Sequence, residues 1–263
     1  MKLENKVAII TGGAMGNGLG IVKVFLKYHA KVAIFDYDES VFETAKTLQA
    51  EGYEVSGYLC DARDSETIKQ CVDEVLKKYG TIDILINNAG IAKLDSFLNT
   101  TDQLRDAHFD INIKGAWNMS KAVVPTMIKH QKGAIVNLSS VTGVMVADPG
   151  EVAYATTKAA MMGFTKGLAA EMVNHHIRVN AILPGYIMTP MVEGIAKASD
   201  QTNPTSVIEG IRAGIPMGRL GSIEELGELA AFLASDEASY ITAQGIVIDG
   251  GSTLPETMSV GVQ

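Results

Sequence analysis

The sequence predicts a doubly wound α/β fold in one domain. Short β-branched runs alternate with longer amphipathic stretches from end to end, and most of the short runs are almost continuously apolar. The first run passes directly into a glycine-rich turn and then a helix. Strands apolar along their length are buried on both faces, as in a parallel sheet covered by helices on each side. The β-α-β alternation supplies those covering helices as crossovers. The chain has 263 residues, 47% hydrophobic and 20% charged, enough for a large core. At ~150 residues per domain that length is about 1.8 domains, which a single large α/β unit over 1–263 also satisfies. No linker, repeat or low-complexity segment divides it, and the composition excludes disorder, collagen and coiled coil.

In chain order, the expected strands are Val7–Thr11, Lys31–Phe35, Glu54–Leu59, Ile82–Asn87, Ala134–Leu138, Ile177–Leu183 and Ile246–Ile248. The expected helices are Leu19–His29, Ser40–Glu51, Ser65–Tyr79, Thr101–Lys129, Glu151–Asn174 and Ile223–Ala234. One region breaks the alternation. Tyr186 to Met217 contains Pro190, Pro204 and a polar stretch from Ser199 to Thr205. It follows the carboxyl end of a strand, where open α/β sheets bind ligands. Its length fits a substrate lid, with a plain surface insertion as the alternative.

The first strand ends in Thr11-Gly12-Gly13-Ala14-Met15-Gly16-Asn17-Gly18-Leu19-Gly20. Glycines allow a tight turn and let the backbone approach a pyrophosphate, which then sits at the helix N-terminus. The pattern is T-G-x-x-x-G-x-G, carried by Gly12, Gly16 and Gly18. Asp36 ends the second strand, 24 residues after Gly12. A carboxylate there accepts hydrogen bonds from a ribose 2′-hydroxyl and repels a 2′-phosphate. Its alternative is a helix-start role beside Asp38.

Tyr154-Ala155-Thr156-Thr157-Lys158 lies in an expected helix, so Tyr154 and Lys158 share a face. A nearby ammonium favours a phenolate, which suits general acid/base work. Alone the pair is common on helix surfaces. Ser139-Ser140 ends a strand 14 residues before Tyr154, Asn87-Asn88-Ala89-Gly90 ends another, and Asn112 sits in the long helical stretch. Singly, each reads as a turn or an incidental polar residue.

Together these motifs resemble the short-chain dehydrogenase/reductase family from Lys6 to about Gly251. The resemblance implies a Rossmann-like domain with a seven-stranded parallel sheet, a nicotinamide dinucleotide cofactor and a homotetramer. It places the catalytic tetrad on Asn112, Ser140, Tyr154 and Lys158. Tyr154 would pass the proton to or from the substrate oxygen while hydride moves at the nicotinamide C4. Lys158 would lower the Tyr154 pKa and hold the ribose hydroxyls, Ser140 would orient the reacting oxygen, and Asn112 would anchor a water leading to solvent. The implied cofactor contacts are Gly12, Gly16, Asn17, Gly18, Leu19 and Asp36, then Asp61 with Ala62 near adenine, and Asn88, Ala89 and Gly90. Tyr154, Lys158, Pro184, Gly185, Ile187 and Thr189 complete them at the nicotinamide end. The tail Ile248 to Glu256 more narrowly resembles the UcpA-type oxidoreductases. Two departures stand out: the Ser140–Tyr154 gap is one residue wider than usual, and Asn17-Gly18-Leu19-Gly20 replaces the usual Ile-Gly pair.

Asp36 argues for NAD(H) over NADPH. The expected substrate contacts are Ser140, Met145, Val146, Tyr154, Tyr186 and Met191, with Val144, Met188, Val192 and Ile195 nearby and about half of the apolar set ordinary packing. Pockets lined mostly by apolar groups suit an apolar skeleton. The expected substrate is therefore a secondary alcohol or ketone such as a hydroxysteroid. A 3-oxoacyl thioester reductase, a sugar or polyol dehydrogenase and a non-enzymatic dinucleotide sensor are the alternatives. The apolar stretches Ala155–Ala170 and Leu226–Ala234 are expected to pack against a second copy.

Lys+Arg 22 against Asp+Glu 30 gives −8, which counts against nucleic acid or an anionic membrane as partner. Cys60 and Cys71 build no disulfide framework, and the five histidines lack metal-ligand spacing and read as helix-surface residues. The first apolar run is too short for a signal peptide or membrane span, so a soluble cytoplasmic protein is expected.

Overall fold

The structure is a computed structural model that describes residues 2–254, apart from the side chains of Met191, Ile195 and Ala198. Seven parallel strands form one sheet in the order β3-β2-β1-β4-β5-β6-β7. They are β1 (Val7–Thr11), β2 (Lys31–Asp36), β3 (Val55–Leu59), β4 (Ile84–Asn87), β5 (Gly133–Leu138), β6 (Ile177–Pro184) and β7 (Gly245–Ile248). β1, β4 and β5 are buried at every residue, as their unbroken apolar runs require. The strand order reverses between β1 and β4, which opens the ligand crevice above their carboxyl ends.

The helices are α1 (Gly16–Lys27), α2 (Ser40–Ala50), α3 (Ser65–Tyr79), α4 (Asp102–Phe109), α5 (Gly115–His130), α6 (Val152–Met172), α7 (Pro190–Ser199), α8 (Pro204–Ala213) and α9 (Ile223–Ala234). One core layer packs β1, β2 and β4 against α1 and α9 around Phe25, Ile34 and Leu226. The other packs the opposite sheet face against α3 and α5 around Phe35, Val75 and Met127.

Several expectations are corrected. The single helix expected over Thr101–Lys129 is two helices joined by a π turn, Asp110–Lys114. One extra residue per turn leaves the amphipathic pattern almost continuous, so the sequence shows one stretch. The segment 186–217, left without helices among the expected elements, contains α7 and α8. Pro190 and Pro204 open them, where a missing N–H costs nothing, behind the capping side chains of Thr189 and Asn203.

The apolar face of Leu226–Ala234 is not free for a second copy. Leu226, Ala230, Ala231, Leu233 and Ala234 are buried within the chain. Gly227 lets α9 approach α1, since a Cβ there would lie 2.8 Å from the Gly20 carbonyl oxygen. His108 is buried, not on the helix surface. Its Nδ1 lies 2.9 Å from the Leu104 carbonyl and its Nε2 accepts the Lys93 amide at 3.2 Å, so its partners select the Nδ1–H tautomer. Among the described residues no helix is long and apolar enough to cross a membrane.

Candidate active site

The glycine turn is built for close approach. Gly12 has φ +62°, and a Cβ on Gly18 would lie 2.0 Å from the Gly12 carbonyl oxygen. Gly16 (φ +55°) takes the left-handed backbone conformation, and a Cβ there would make ordinary van der Waals contact with Thr189 and Pro190 at 3.9–4.0 Å, which brings the start of α1 against the segment after β6. Gly20 belongs to the α1–α9 contact instead, since its Cβ would meet Ile223 at 2.4 Å.

Asn88 braces this turn. Its Nδ2 donates to the Thr11 and Gly12 carbonyls at 2.9 and 3.0 Å, while the Thr11 hydroxyl accepts the Asn88 and Ala89 amides, both at 3.0 Å. Thr11 belongs to the glycine motif but was not among the expected cofactor contacts, and its hydroxyl is what ties the end of β1 to the segment after β4. The T-G pair at the end of β1 was the available signal.

Asp36 is buried and takes the Ala14 amide at 3.0 Å and the Asp38 amide at 3.2 Å. Asp38, not Asp36, serves the start of α2 by accepting the Ser40 amide at 2.9 Å. Neighbouring Cys60 donates its amide to the Asp36 carbonyl at 2.7 Å, bringing β3 and Asp61 alongside. The Arg63 guanidinium, with Nε 2.9 Å from both Asp61 oxygens, holds that carboxyl below its ordinary range. Ala62 lies beside α5, where a Cβ on Gly115 would touch it.

The tetrad converges above β4, β5 and α6. Lys158 is buried and donates to the Leu138 carbonyl at 2.7 Å, and desolvation pulls its pKa down to about 8. Its Nζ lies 5.6 Å from the Tyr154 ring centroid. Burial raises the Tyr154 phenol, opposed by its hydrogen bond with Ser140. The Lys158 ammonium thus lies over the Tyr154 ring while bonded to a main-chain carbonyl. The Ser140 hydroxyl accepts the Thr142 amide at 3.1 Å and reaches the Pro184 carbonyl at 3.5 Å. Ser139, also missed, secures α6 by donating to the Lys158 carbonyl at 2.7 Å.

Asn112 lies in the π turn. Its Oδ1 accepts the Ile91 amide at 2.8 Å, and its Nδ2 donates to the Ile91 carbonyl and the Thr157 hydroxyl, both at 3.0 Å. Its side chain therefore holds the segment after Gly90 against α6. A Cβ on Gly90 would lie 3.1 Å from Asn112 Oδ1 and 3.7 Å from Lys158 Nζ, so that glycine keeps the centre compact.

At the far side, Pro184 ends β6, and Gly185 donates its amide to Ile248 at 3.0 Å. Ile187 is buried and bridges to Gly221, while Thr189 caps α7. Of the expected substrate residues, Met145 (52% exposed), Val146 (45%) and Tyr186 (37%) are open to solvent, as are Val144 and Met188. Val192 is buried packing, and the side chains of Met191 and Ile195 fall outside the described residues. Glu151, unremarked in the sequence, accepts the Asp148 amide at 3.1 Å one turn before Tyr154.

The residues fit a nicotinamide dinucleotide. The Asn17 Oδ1, in the first turn of α1, is buried without a partner, an acceptor that a bound group could satisfy. Among the described residues the Lys158 ammonium donates to one carbonyl, leaving donors for ribose hydroxyls. Among the described residues no three His, Cys, Asp or Glu side chains are grouped to hold a metal ion.

Comparison with known proteins shows the family to which the chain belongs. Residues 12–253 match the protein family described as Enoyl-(Acyl carrier protein) reductase. The chain is 51% identical over 261 residues to Oxidoreductase UcpA of Escherichia coli (strain K12), covering 99% of both chains. It is similar to the crystal structure of levodione reductase, with TM-score 0.91, 32% identity, and 96% and 99% of the two chains covered. A gluconate 5-dehydrogenase from Burkholderia cenocepacia J2315, in complex with NADP and tartrate, superposes with TM-score 0.88 and 30% identity over 96% of each chain.

Proposed function

The chain belongs to the short-chain dehydrogenase/reductase family, and on that premise we propose an NAD(H)-dependent enzyme that interconverts a secondary alcohol and a ketone on an apolar alicyclic skeleton, with a hydroxysteroid as the leading example. The observation that carries this reading is the contact of the Ser140 and Tyr154 hydroxyls beside the buried Lys158 ammonium. Proteins of this family are oxidoreductases that use a nicotinamide dinucleotide, and the cofactor, when bound, supplies or accepts the hydride. Tyr154 moves the proton at its phenol oxygen. Ser140 donates a hydrogen bond to the substrate oxygen and so fixes its distance from Tyr154. Lys158 holds ribose hydroxyls, and Asn112 acts as a positioning residue through Ile91 and Thr157. A dinucleotide sensor would have no use for this hydroxyl pair.

Asp36 supports NAD(H). Its buried carboxylate is fixed by two amides, and a 2′-phosphate brought against it would meet like charge in a partly desolvated place. The likeness to a dehydrogenase crystallised with NADP makes this the point to measure first. The kcat/KM for NADH should exceed that for NADPH by at least about tenfold, given several kcal/mol for like charges at contact distance. Equal values would remove the preference. The same assay, run on ketosteroids, alicyclic ketones, ketosugars and 3-oxoacyl thioesters, tests the skeleton. A sugar is the second reading, favoured by the likeness to gluconate 5-dehydrogenase.

The proposal includes a homotetramer. Along α6, Ala159, Ala160, Gly163, Gly167 and Ala170 are exposed, and neighbouring Trp117 is 56% exposed against Phe164. This small-residue face beside an uncovered aromatic suits close packing of a second copy. Light scattering should give four copies of the 28.0 kDa chain, and a monomer at micromolar concentration would end this part.

A further inference from the structure

Residues 88–96 form neither helix nor strand, so no sheet or helix ladder fixes their path past Asn112 and Lys158. Their main-chain amides do so instead. Ala89 donates to the Thr11 hydroxyl at 3.0 Å and Ile91 to Asn112 Oδ1 at 2.8 Å. Lys93 donates to His108 Nε2 at 3.2 Å and Asp95 to the Gly150 carbonyl at 3.1 Å. Four successive odd-numbered residues thus each find a separate anchor: the end of β1, the π turn, α4 and the loop before α6.

Three of these anchors have a plain place in the site. Thr11 closes the glycine turn, Asn112 belongs to the tetrad, and Gly150 offers a main-chain carbonyl. His108 is the fourth, and it takes no part in the proton or hydride step. Its side chain is wholly buried, at 0% exposure. The Leu104 carbonyl, one turn back in α4, holds Nδ1 at 2.9 Å, which leaves the Nε2 lone pair for Lys93. An ordinary apolar core residue would fill the same space and tie nothing.

What the tie holds bears on the centre. Gly90 lies between the first and second anchors, where an added Cβ would be 3.1 Å from Asn112 Oδ1 and 3.7 Å from Lys158 Nζ. Asn112 grips both the amide and the carbonyl of Ile91, and its Nδ2 also reaches Thr157, next to Lys158. Without His108, the stretch from Ala92 to Leu94 would keep none of the described hydrogen bonds.

We propose that His108 is a positioning residue for the catalytic centre: by taking the Lys93 amide it holds the segment after Gly90 in place against Asn112 and Lys158. The inference rests on reading the crevice as a ketone–alcohol site, and it adds to the tetrad a side chain whose described bonds go to main chain alone. Its effect falls on kcat, since a shift of about 1 Å in a reacting geometry costs up to roughly 10²-fold. NADH affinity depends on the glycine turn, which Asn88 and Thr11 brace separately.

Three substitutions separate the tie from the packing. His108→Leu fills the buried space without polar atoms. His108→Asn keeps a donor near Leu104 but is too short to reach Lys93. His108→Gln returns an acceptor oxygen to the place of Nε2. With NADH and an alicyclic ketone, the first two should lose at least about tenfold in kcat while NADH affinity stays within about threefold. His108→Gln should restore kcat to within about threefold of wild type. Two readouts need no ketone. Hydrogen exchange at the Lys93 amide should be at least about tenfold faster in His108→Leu and His108→Asn than in wild type and His108→Gln. The emission of bound NADH, which reports the surroundings of the nicotinamide, should change in the same two variants. If either fails to fold, Lys93→Pro removes the donor with His108 intact and should lower kcat as much. Unchanged kcat in His108→Leu, or equal behaviour of His108→Asn and His108→Gln, overturns the proposal. Faster exchange without a change in kcat or emission overturns it too, leaving His108 a strut of the fold. If the wild-type protein binds NADH but reduces no ketone, the ketone reading fails by itself, and exchange and emission together decide the role of His108.

Discussion

Around β1, β2 and β4 the polar groups of the crevice are tied to one another. Asn88 holds the Thr11 and Gly12 carbonyls, Thr11 holds two amides, and Asp36 takes the Ala14 and Asp38 amides. Around the ends of β5 and β6 the walls are of another kind. Met145, Val146, Tyr186 and Met188 are between 37% and 52% exposed, and their segments are fixed mainly through main-chain bonds, such as Met188 to Gly221 at 2.9 Å. The first side is cross-braced by side chains and suits one invariant ligand. The second is a frame whose side chains project without polar partners, so their replacement changes pocket shape without unpinning the backbone. The chemistry stands between the two, on Tyr154 and Lys158 of α6.

The largest expected effect breaks the function where these two sides meet. Tyr154→Phe removes the phenol oxygen but keeps the ring over which Lys158 lies. Turnover should fall by ~10²–10⁴, the usual worth of a positioned acid/base. NADH affinity, which depends on the braced side, should stay within a few-fold. Retention of more than about a tenth of the wild-type rate would remove Tyr154 from its role. A parallel loss of NADH binding would show that the two sides are not separable.

What could be read in the sequence follows the same division. Glycine spacing and a strand-end acid are local signals with fixed offsets, so the glycine turn between β1 and α1 and the acid ending β2 are legible in the chain. β1, α3 and α9 match their expected boundaries because apolar periodicity, the Asp64 and Ser222 caps and Gly80 punctuate them clearly. The substrate side depends on long-range placement. The region with Pro190 and Pro204 stood out only as a departure from the alternation, although Thr189-Pro190 and Asn203-Pro204 are cap-and-start pairs. The π turn around Asn112 leaves no pattern in the chain, and His108 is buried because the segment containing Lys93 folds over it. Glu151 could have been found by counting one helical turn back from Tyr154, but its acceptor role depends on where the loop places Asp148.

The smallest expected effect concerns stability. Lys158 has a pKa of about 8 against an ordinary value of 10.5. The unfolded chain therefore binds more protons than the folded one between pH 8 and 10.5, and this group's contribution to stability rises with pH across that window. Below pH 8 the buried ammonium costs about 3 kcal/mol, at 1.36 kcal/mol per pKa unit. Loss of the bond to Leu138 returns about 1 kcal/mol of that. Without added cofactor, Lys158→Met should raise Tm by several degrees at pH 7, at ~2–4 °C per kcal/mol for a chain approaching this size. The gain should shrink steadily toward pH 10. Met145→Ala, at a half-exposed position on the other side, should move Tm by no more than a degree or so at either pH. Thermal scans of both variants at pH 7 and pH 10 make the comparison. A Lys158→Met protein less stable than wild type at pH 7, or a gain that ignores pH, would mean that the ammonium is adequately solvated where it sits.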